Sequence, residues 1–597
     1  LSQRAGTWAS SNRQKRFLLQ YGHESWTMPE EGTPGSESKT LDYSDVETIW
    51  GRRQAEMRSD QTLRSFIKES LLDNRVTPQD RPDETAMAIY RIASGGDPEV
   101  LRHYLAIGYP VNEKAGSDQR TPLHGCAFSA SETTCLELLL SAEANPTLVD
   151  AKGWTALHIA AHCGHDRAIR KLIASGAEPD TIGPGGAHAA SLAASGGHLR
   201  TLKAILEATP AMANAHGSIA NPLHHAVWSN RVGIVDWLLA QPGIDPLVSD
   251  ADGSHAFDSA AQGGHLDILQ RLLARAPEFL NKPGFNRRCA LDAAAFSGHP
   301  ATVDWLLAQP GIDLFAQDAK GGHAFDSAAQ SGHLDILQRL LARAPELLNK
   351  PGFNQRSALI AAAINGHATV VDWLLGQPNI DLLAQTASGD HVFDSAAQNG
   401  HIDILQRLLA RAPELLNKPG FNQRCALDAA AVSGHLAVVD WLLAQPGIDL
   451  FAQDAKGGHA FDSAAEGGHL DILQRLLARA PELLNKPGFN QRSALIAAAA
   501  KGHLAVVDWL LARPGIDLLS QASNGAHAFD LAAEGGHLDI LQRLLARAPE
   551  LLNKPGFNQR SALIAAAFNG HPAAVDWLLA RPGIDLLSQA SNGAHAF

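Results

Sequence analysis

The sequence predicts an all-α repeat solenoid, a stack of about fifteen helix–turn–helix units of roughly 33–34 residues each, and three observations predict it. The first is a period. The string Gly-His-Leu/Ile-Asp-Ile-Leu-Gln-Arg-Leu-Leu-Ala-Arg-Ala-Pro-Glu begins at Gly264, Gly332, Gly400, Gly468 and Gly536, a constant step of two units. A second string, Gly-His leading to Val-Asp-Trp-Leu-Leu, begins half a step after each of these, at Gly298, Gly366, Gly434, Gly502 and Gly570. The second observation is apolar spacing. Arg167-Ala168-Ile169-Arg170-Lys171-Leu172-Ile173 puts its apolar residues at helical intervals. The third is a glycine between the two helical patterns of each unit, a residue free to adopt a backbone conformation that others resist. No single unit can bury its apolar face alone, so stacking must supply the core.

The elements follow in order. Residues 1–40 are polar and aperiodic and are expected to be disordered. Ser44-Asp45-Val46-Glu47 is a capping box, so a helix is expected to about Met57. Ser59 is a candidate start for another, with Leu63, Phe66, Ile67 and Leu71 on one face, placed to cap the first repeat. Residues 75–82 carry two prolines and read as a linker, so 41–82 is a segment of short helices ahead of the array at 83–597. Within a unit, Thr155 is the start signal of a short helix running through Ala156-Leu157-His158-Ile159-Ala160-Ala161. Gly164 breaks it, the second helix follows, and Gly176 and Pro179 end that one. The polar turn Asp150-Ala151-Lys152-Gly153 separates units. At the other end, Asn592-Gly593-Ala594-His595-Ala596-Phe597 repeats the opening at Asn524 and stops inside a first helix. The last unit is therefore expected to be incomplete, and the chain, which begins with Leu1, to be a fragment of a longer array.

Thr121-Pro122-Leu123-His124, the run Asp150 to Ala161, and the Gly-His pair present in twelve units resemble the ankyrin repeat over about 515 residues. The resemblance implies stacked helix pairs with projecting hairpin loops and a concave surface that binds partners. Two departures stand out. One version of the unit replaces the Thr-Pro-Leu-His tetrapeptide by His-Ala-Phe-Asp, as at His255-Ala256-Phe257-Asp258. The other carries Cys289-Ala290-Leu291-Asp292 or Ser357-Ala358-Leu359-Ile360, and is reached through Asn281-Lys282-Pro283-Gly284-Phe285-Asn286, so its hairpin is expected to differ in shape.

Composition excludes several classes. Net charge is −13; residues 1–82 hold 12 basic and 12 acidic side chains, the rest 37 and 50. Such a balance lacks the basic stripe that nucleic acid requires. No apolar run approaches the ~20 residues that span a bilayer, and no signal-peptide core opens the chain, so no membrane insertion is expected. The five cysteines, at 126, 135, 163, 289 and 425, form no framework and suit a reducing compartment. A cytoplasmic location is expected, with delivery into a host cell left open.

Histidine is abundant, at 27 residues, which makes metal binding and catalysis candidate roles. Twelve follow the turn glycine, and a ring nitrogen of each is expected to bond a backbone carbonyl in the turn. No His-Glu-x-x-His or Cys/His cluster occurs, so no metal is expected, and no phosphate-binding glycine loop implies a cofactor. In the His-Ala-Phe-Asp version, units are expected to set Asp292 near His255 or His323 in a charge-assisted ladder. A catalytic dyad is set aside, because Cys289 and Asp292 become Ser357 and Ile360 in the next copy. Trp237, Trp305, Trp373, Trp441, Trp509 and Trp577 recur at helical spacing and are expected in the core.

The copies act as controls for one another. Asp-Ile-Leu-Gln-Arg-Leu-Leu-Ala-Arg-Ala-Pro-Glu is identical in five copies, whereas the residues just before the turn glycine differ. The resemblance places these positions on the concave face and the loop tips. The expected partner-binding residues are Phe128, Trp228, Phe296, Ser297, Ile364, Asn365, Asp390, Gln398, Asn399, Val432, Lys501, Phe568 and Asn569. Phe128 and Trp228 carry the most weight, since an exposed Trp has no stability reason to be there. Drift of exposed positions after duplication is the plainer reading of the later units. The expected function is a non-enzymatic interaction scaffold with a protein partner. The alternatives are the targeting arm of a secreted effector or larger enzyme whose catalytic part lies outside this chain, and a structural spacer.

Overall fold

The computed structural model describes residues 82–587, except 107, 130–132, 215–220 and 557–559. The expectations for residues 1–81 and for the last partial unit at 588–597 fall outside the described residues. Thirty α-helices and no strands are found among the described residues, two helices to each repeat. The chain divides into two compact units, residues 1–285 and 286–597.

In the first unit, Thr155 caps the helix Ala156–Cys163, its hydroxyl accepting the His158 backbone N–H at 3.3 Å. The helix stops at Gly164, whose φ is 81°. Every residue from Ala156 to Ala161 is buried. Alanines 160 and 161, and 189, 190, 193 and 194 on the neighbouring helix Ala189–Gly196, are small enough to let successive first helices pack closely. The second helix, Asp166–Ala174, buries Ala168, Ile169 and Leu172 and turns its charges outward. Asp150 Oδ1 accepts the Lys152 and Trp154 backbone N–H groups, both at 2.9 Å, and so shapes the expected turn.

The second unit alternates two versions. One runs Ala324–Ser331, then Leu334–Arg343, then a single 3-10 turn at Pro345–Leu347. The other runs Ala358–Ile364 and Ala368–Leu375. The phenylalanine of His-Ala-Phe-Asp is a core residue in every described copy, with Phe325, Phe393, Phe461 and Phe529 at most 1% exposed. In the first unit Phe257 stacks on Phe279 with centroids 5.4 Å apart. The Asn-Lys-Pro-Gly-Phe-Asn hairpin does differ in shape. Asn354 and Gln355 both take left-handed backbone, φ 51° and 59°, a conformation Asn tolerates and Gln seldom adopts.

Several kinds of polar contact tie successive repeats of the second unit besides apolar packing, three of them on the hairpins, loops and second helices. The hairpins link backbone to backbone: Ala387 donates to the Asn354 carbonyl at 2.9 Å, and Asn354 to that of Lys320 at 3.3 Å. A recurring asparagine clamps the next loop: Asn349 Nδ2 donates to the Asn379 carbonyl at 2.7 Å while its Oδ1 accepts the Asp381 N–H at 2.9 Å. Asn417, Asn485 and Asn553 repeat the clamp. On the second helices, Arg339 meets Asp304 at 2.8 Å and Arg407 meets Asp372 at 2.6 Å.

One packing expectation is corrected. The recurring tryptophans are half-buried, not core residues. They sit on the second helices beside the exposed aspartates of these ion pairs, where the fully buried positions go to Val and Leu, such as Val370, Val371 and Leu374. Arg513 and Arg581 lie over Trp509 and Trp577 at 4.8 and 4.6 Å.

Candidate functional site

The face formed by the first helices and the hairpin bases carries the variable residues, and the backbone beneath them is fixed. In eight repeats the histidine after the turn glycine reaches a main-chain carbonyl through Nε2, as expected, but that carbonyl belongs to the preceding repeat. His367 reaches Gln330 at 2.9 Å, His401 reaches Ile364 at 3.2 Å, and His435 reaches Gln398 at 3.0 Å. His469 and His503 make the same contact to Val432 and Glu466, at 3.3 and 2.8 Å. A carbonyl can only accept, so each imidazole donates its Nε2–H. The residue whose side chain varies is thus the one whose carbonyl is held.

Phe128 and Trp228 lie in the first unit, each the last residue of its first helix. Both are half-buried. The Phe128 carbonyl meets His165 Nε2 at 3.3 Å. Trp228 corrects an expectation: its ring packs edge-on against His225 at 5.1 Å and His224 at 6.2 Å, so it has a structural task. His225 is wholly buried, and burial pushes its pKa down to about 3. The indole is part of what keeps that imidazole dry and neutral.

The other residues lie in the second unit. Phe296 is half-buried beneath the Arg288 guanidinium, 4.6 Å from its ring, and Ser297 ends the same helix. Ile364 and Val432 are half-buried. Asn365, Asn399 and Asn569 each turn Nδ2 back onto a carbonyl of their own helix, at 2.8, 2.8 and 2.9 Å, and so close the helix ends. Gln398 is exposed. Asp390 sits in a hairpin, accepting from the Ser388 hydroxyl at 2.9 Å. Lys501 pairs with Glu466 of the neighbouring repeat at 3.2 Å, so variable positions of adjacent repeats touch. Phe568 is 70% exposed, with Arg560 over it at 4.4 Å.

The His-Ala-Phe-Asp version works differently from the expected ladder. The pair closes within one repeat: the His323 backbone N–H and its Nδ1 both meet Asp326 Oδ2 at 3.0 Å. It is the Thr155–His158 capping box with the two roles exchanged. Gln317 Nε2 lies 3.2 Å from His323 Nε2, so both ring nitrogens are engaged in a side chain 1% exposed. The same arrangement recurs at His391, His459 and His527. Burial pushes the Asp326 carboxyl up, and the His323 hydrogen bonds oppose the rise. Asp292 does not join a histidine. It meets Arg288 at 3.3 Å, and burial pushes it up to about 6. Asp428 likewise meets Arg424 at 3.3 Å, accepts the Ser463 hydroxyl, and is pushed by burial up to about 6.

Sequence reasoning passed over one row of side chains. Arg288, Arg356, Arg424, Arg492 and Arg560 precede the first helix of every second repeat. A search for positions that vary skips a residue that never does. The signal was beside it, in the alternation of Asp292 and Asp428 with Ile360, Ile496 and Ile564 at the equivalent place in the helix that follows. Arg492, Glu466, Asp462 and Lys501 line a shallow polar pocket. Arg560, Glu534 and Asn569 line its counterpart one double repeat later.

Among the described residues no group of three or more His, Cys, Asp or Glu side chains is placed to hold a metal ion, and no helix is long and apolar enough to cross a membrane. Models of ankyrin repeats match residues 89–183, 169–250, 325–418, 428–522 and 461–554 as three-copy arrays, and 291–341 as a many-copy array. The chain is similar to the transient receptor potential cation channel subfamily A member 1 homolog of Caenorhabditis elegans, 28% identical over 213 residues, 36% of this chain and 17% of that protein. It is also similar to human ankyrin repeat and SOCS box protein 3, 30% identical over 188 residues, 31% of this chain and 36% of that protein. The aligned stretches thus cover well under half of either relative.

Proposed function

Since the chain belongs to the ankyrin-repeat family, we propose that it is a non-enzymatic scaffold that holds a protein partner along the face of the first helices and hairpin bases. Ankyrin repeats indicate protein–protein interaction. The observation that carries the finer reading is the division of labour within each repeat. Side chains that lock neighbours, such as His367, Asn349 and Phe325, recur unchanged, while the residues whose carbonyls the histidines hold differ from copy to copy. A stack that only separated two ends would gain nothing from presenting Phe296, Lys501 and Phe568 at equivalent places on one face.

The absence of catalysis is part of the same reading: the buried His–Asp pairs have both imidazole nitrogens engaged within the fold. A cytoplasmic location is supported by five cysteines that form no disulfide, four of them buried and one half-buried. A second reading, an array serving as the targeting arm of a larger protein, is favoured by the two relatives, where the matching stretch is 17% and 36% of the length.

The test is affinity capture with the full chain as bait, read by mass spectrometry beside a bait carrying Phe128→Ala, Trp228→Ala and Phe296→Ala. A protein held by the parent and lost by the variant, with helicity unchanged by circular dichroism, supports the scaffold. Capture indifferent to all three substitutions sinks it.

A further inference from the structure

We propose that Arg356, Arg492 and Arg560 are anchors for the carboxylate side chains of an acidic, extended segment of the protein partner. The inference rests on the scaffold reading and names what that face recognises.

The arginines belong to the variable face. Each leaves the chain just ahead of a first helix, and Arg356 lies 5.5 Å from the Phe353 ring of the hairpin before it. Arg560 lies 4.4 Å over Phe568, and Arg492 shares a pocket with Lys501, both of these being variable positions. The five copies then fall into two kinds. Arg288 and Arg424 each have a carboxylate of the same repeat at 3.3 Å, Asp292 and Asp428. In the other three copies that place is taken by Ile360, Ile496 and Ile564, each no more than 2% exposed. Among the described residues no carboxylate lies within 4.0 Å of Arg356, Arg492 or Arg560. The Nε atoms of Arg356, Arg424 and Arg492 are buried without a hydrogen-bond acceptor in line, and of these three only Arg424 has a carboxylate beside it.

A buried donor left without an acceptor is unfavourable, and a guanidinium presents several in one plane. A carboxylate accepts two of them side by side, the pairing for which the arginine fork is shaped. The neighbours decide between a carboxylate and a phosphate. Asp454, Asp462 and Glu466 line the Arg492 pocket together with Arg424 and Lys501, Asp530 and Glu534 line the Arg560 pocket, and the Asp390 charge acts on Arg356. A dianion is repelled by these carboxylates more strongly than a monoanion. Spacing sets the form of the ligand. With helices packed at roughly 10 Å per repeat, Arg492 and Arg560 are about 20 Å apart, and Arg356 and Arg492 about 40 Å. An extended chain, at ~3.3 Å per residue, places matching acids about 6 and about 12 residues apart.

Fluorescence anisotropy on the full chain tests this with a fluorescein-labelled peptide of alternating Glu and Ser, about 24 residues long, enough to span the row. The comparators are the same peptide with Gln for Glu, and with phosphoserine for Glu. The parent is expected to bind the Glu peptide at least about tenfold more tightly than the Gln peptide, and Arg356→Met/Arg492→Met/Arg560→Met to lose most of that preference. Arg288→Met/Arg424→Met, whose arginines already have partners, is expected to bind within about twofold of the parent. Ile360→Asp/Ile496→Asp/Ile564→Asp keeps every arginine and supplies the internal partner that Asp292 and Asp428 provide. It is expected to lose the preference too, and it decides the matter should the methionine variant lose helicity.

A parent that binds Gln and Glu peptides alike overturns the proposal. So does a preference untouched in a folded variant, or one lost equally with Arg288 and Arg424. Tighter binding of the phosphoserine peptide reassigns the row to phosphate and overturns it as well. Should partner capture depend on Phe128, Trp228 and Phe296 while the arginines prove indifferent, this inference fails alone and the scaffold stands. Capture indifferent to every substitution on the face removes the scaffold first.

Discussion

Replacing Gly352 by alanine tests how the repeats lock together. A Cβ at this position would overlap Asp326 Oδ2 and the carboxyl carbon, and would lie 2.8 Å from Oδ1. Asp326 has little room to yield, because its side chain is 8% exposed and meets the His323 backbone N–H and Nδ1 at 3.0 Å. The φ of Gly352 is −108°, so the barrier is the clash and not left-handed backbone. Forcing a methyl into a packed site costs about 1–3 kcal/mol, and displacing the carboxylate forfeits a charge-assisted bond of about 1.5–3 kcal/mol, together about 2.5–6 kcal/mol. In a stack stabilised between nearest neighbours the loss should stay local. Hydrogen-exchange mass spectrometry over residues 323–367 reads it directly, with urea denaturation alongside. Gly447→Ala is the control: φ is 83° with nothing near its Cβ, so only the left-handed conformation matters, about 1–2 kcal/mol. In an Asp326→Ala background the Gly352→Ala cost should collapse, because the obstructing carboxylate is gone. A Gly352→Ala chain within about 0.5 kcal/mol of the parent, or no worse than Gly447→Ala, refutes the reasoning.

Further outcomes follow from the same geometry. Asp292 and Asp428 have folded-state pKa values raised to about 6, above the unfolded value, so their contribution to stability is fully present below the unfolded pKa and is lost as pH rises through about 6. Asp292→Asn/Asp428→Asn should therefore raise the unfolding free energy in urea at pH 7.5 by roughly 1–3 kcal/mol per site and leave it unchanged near pH 4; equal effects at both pH values would contradict this. His158 and His225 are shifted the other way by burial, to about 4 and about 3, so their contribution is present above the unfolded pKa and lost as pH falls through those values. Replacing both by glutamine should flatten the acid limb of unfolding below about pH 5, read by circular dichroism. Arg407→Ala removes an ion pair to Asp372, whose side chain is 52% exposed, so stability in urea should change by less than about 1 kcal/mol, and less still in high salt. Trp228→Ala should cost about 2 kcal/mol or more, because it uncovers His225, and its effect on capture must be read beside the helicity of the variant.

The solenoid is legible because its signals are local and repeated. A cap such as Thr155, a glycine such as Gly164 and the apolar spacing of Ala168, Ile169 and Leu172 act within one repeat, and the structure uses each as read. What spacing cannot give is the direction of contacts between repeats. It predicts that His367 bonds a carbonyl in its own turn, and the imidazole bonds that of Gln330 in the repeat before. It predicts that Asp292 meets a histidine, but the carboxylate partner of His323 is Asp326 in the first turn of the same helix, where helix geometry brings it to the cap. The tryptophans depart for a related reason. Helical period shows that Trp373 lies near the apolar stripe of its helix, but not that Val370, Val371 and Leu374 fill the stripe and leave the indole at its edge. Variation among copies points to the candidate face, yet it also weights Trp228 as exposed, because only the fold shows the imidazoles beneath it.

The alternation of Asp and Ile at one buried place ties the interior of the stack to its surface. Asp428 needs polar company, and it has Arg424 in its own repeat and Ser463 in the next. Asp292 has Arg288, with Ser327 as its neighbour from the next repeat. Where the place holds Ile496, the residue equivalent to Ser463 is Leu531, so the polar contact has become an apolar one on both sides. Ile360 faces a repeat that kept Ser395 and is the mixed case. Either solution suits the core, since the attraction in a buried ion pair is largely offset by its desolvation, leaving it little different from an apolar pair in net stability. They differ in what they do to the arginine. An aspartate pairs with it inside its own repeat, whereas beside an isoleucine the arginine has no carboxylate of its own repeat within 4.0 Å on the candidate face. A substitution selected for packing therefore also writes the charge pattern of that face, and Ile496→Asp at constant Arg492 is the change that separates the two effects.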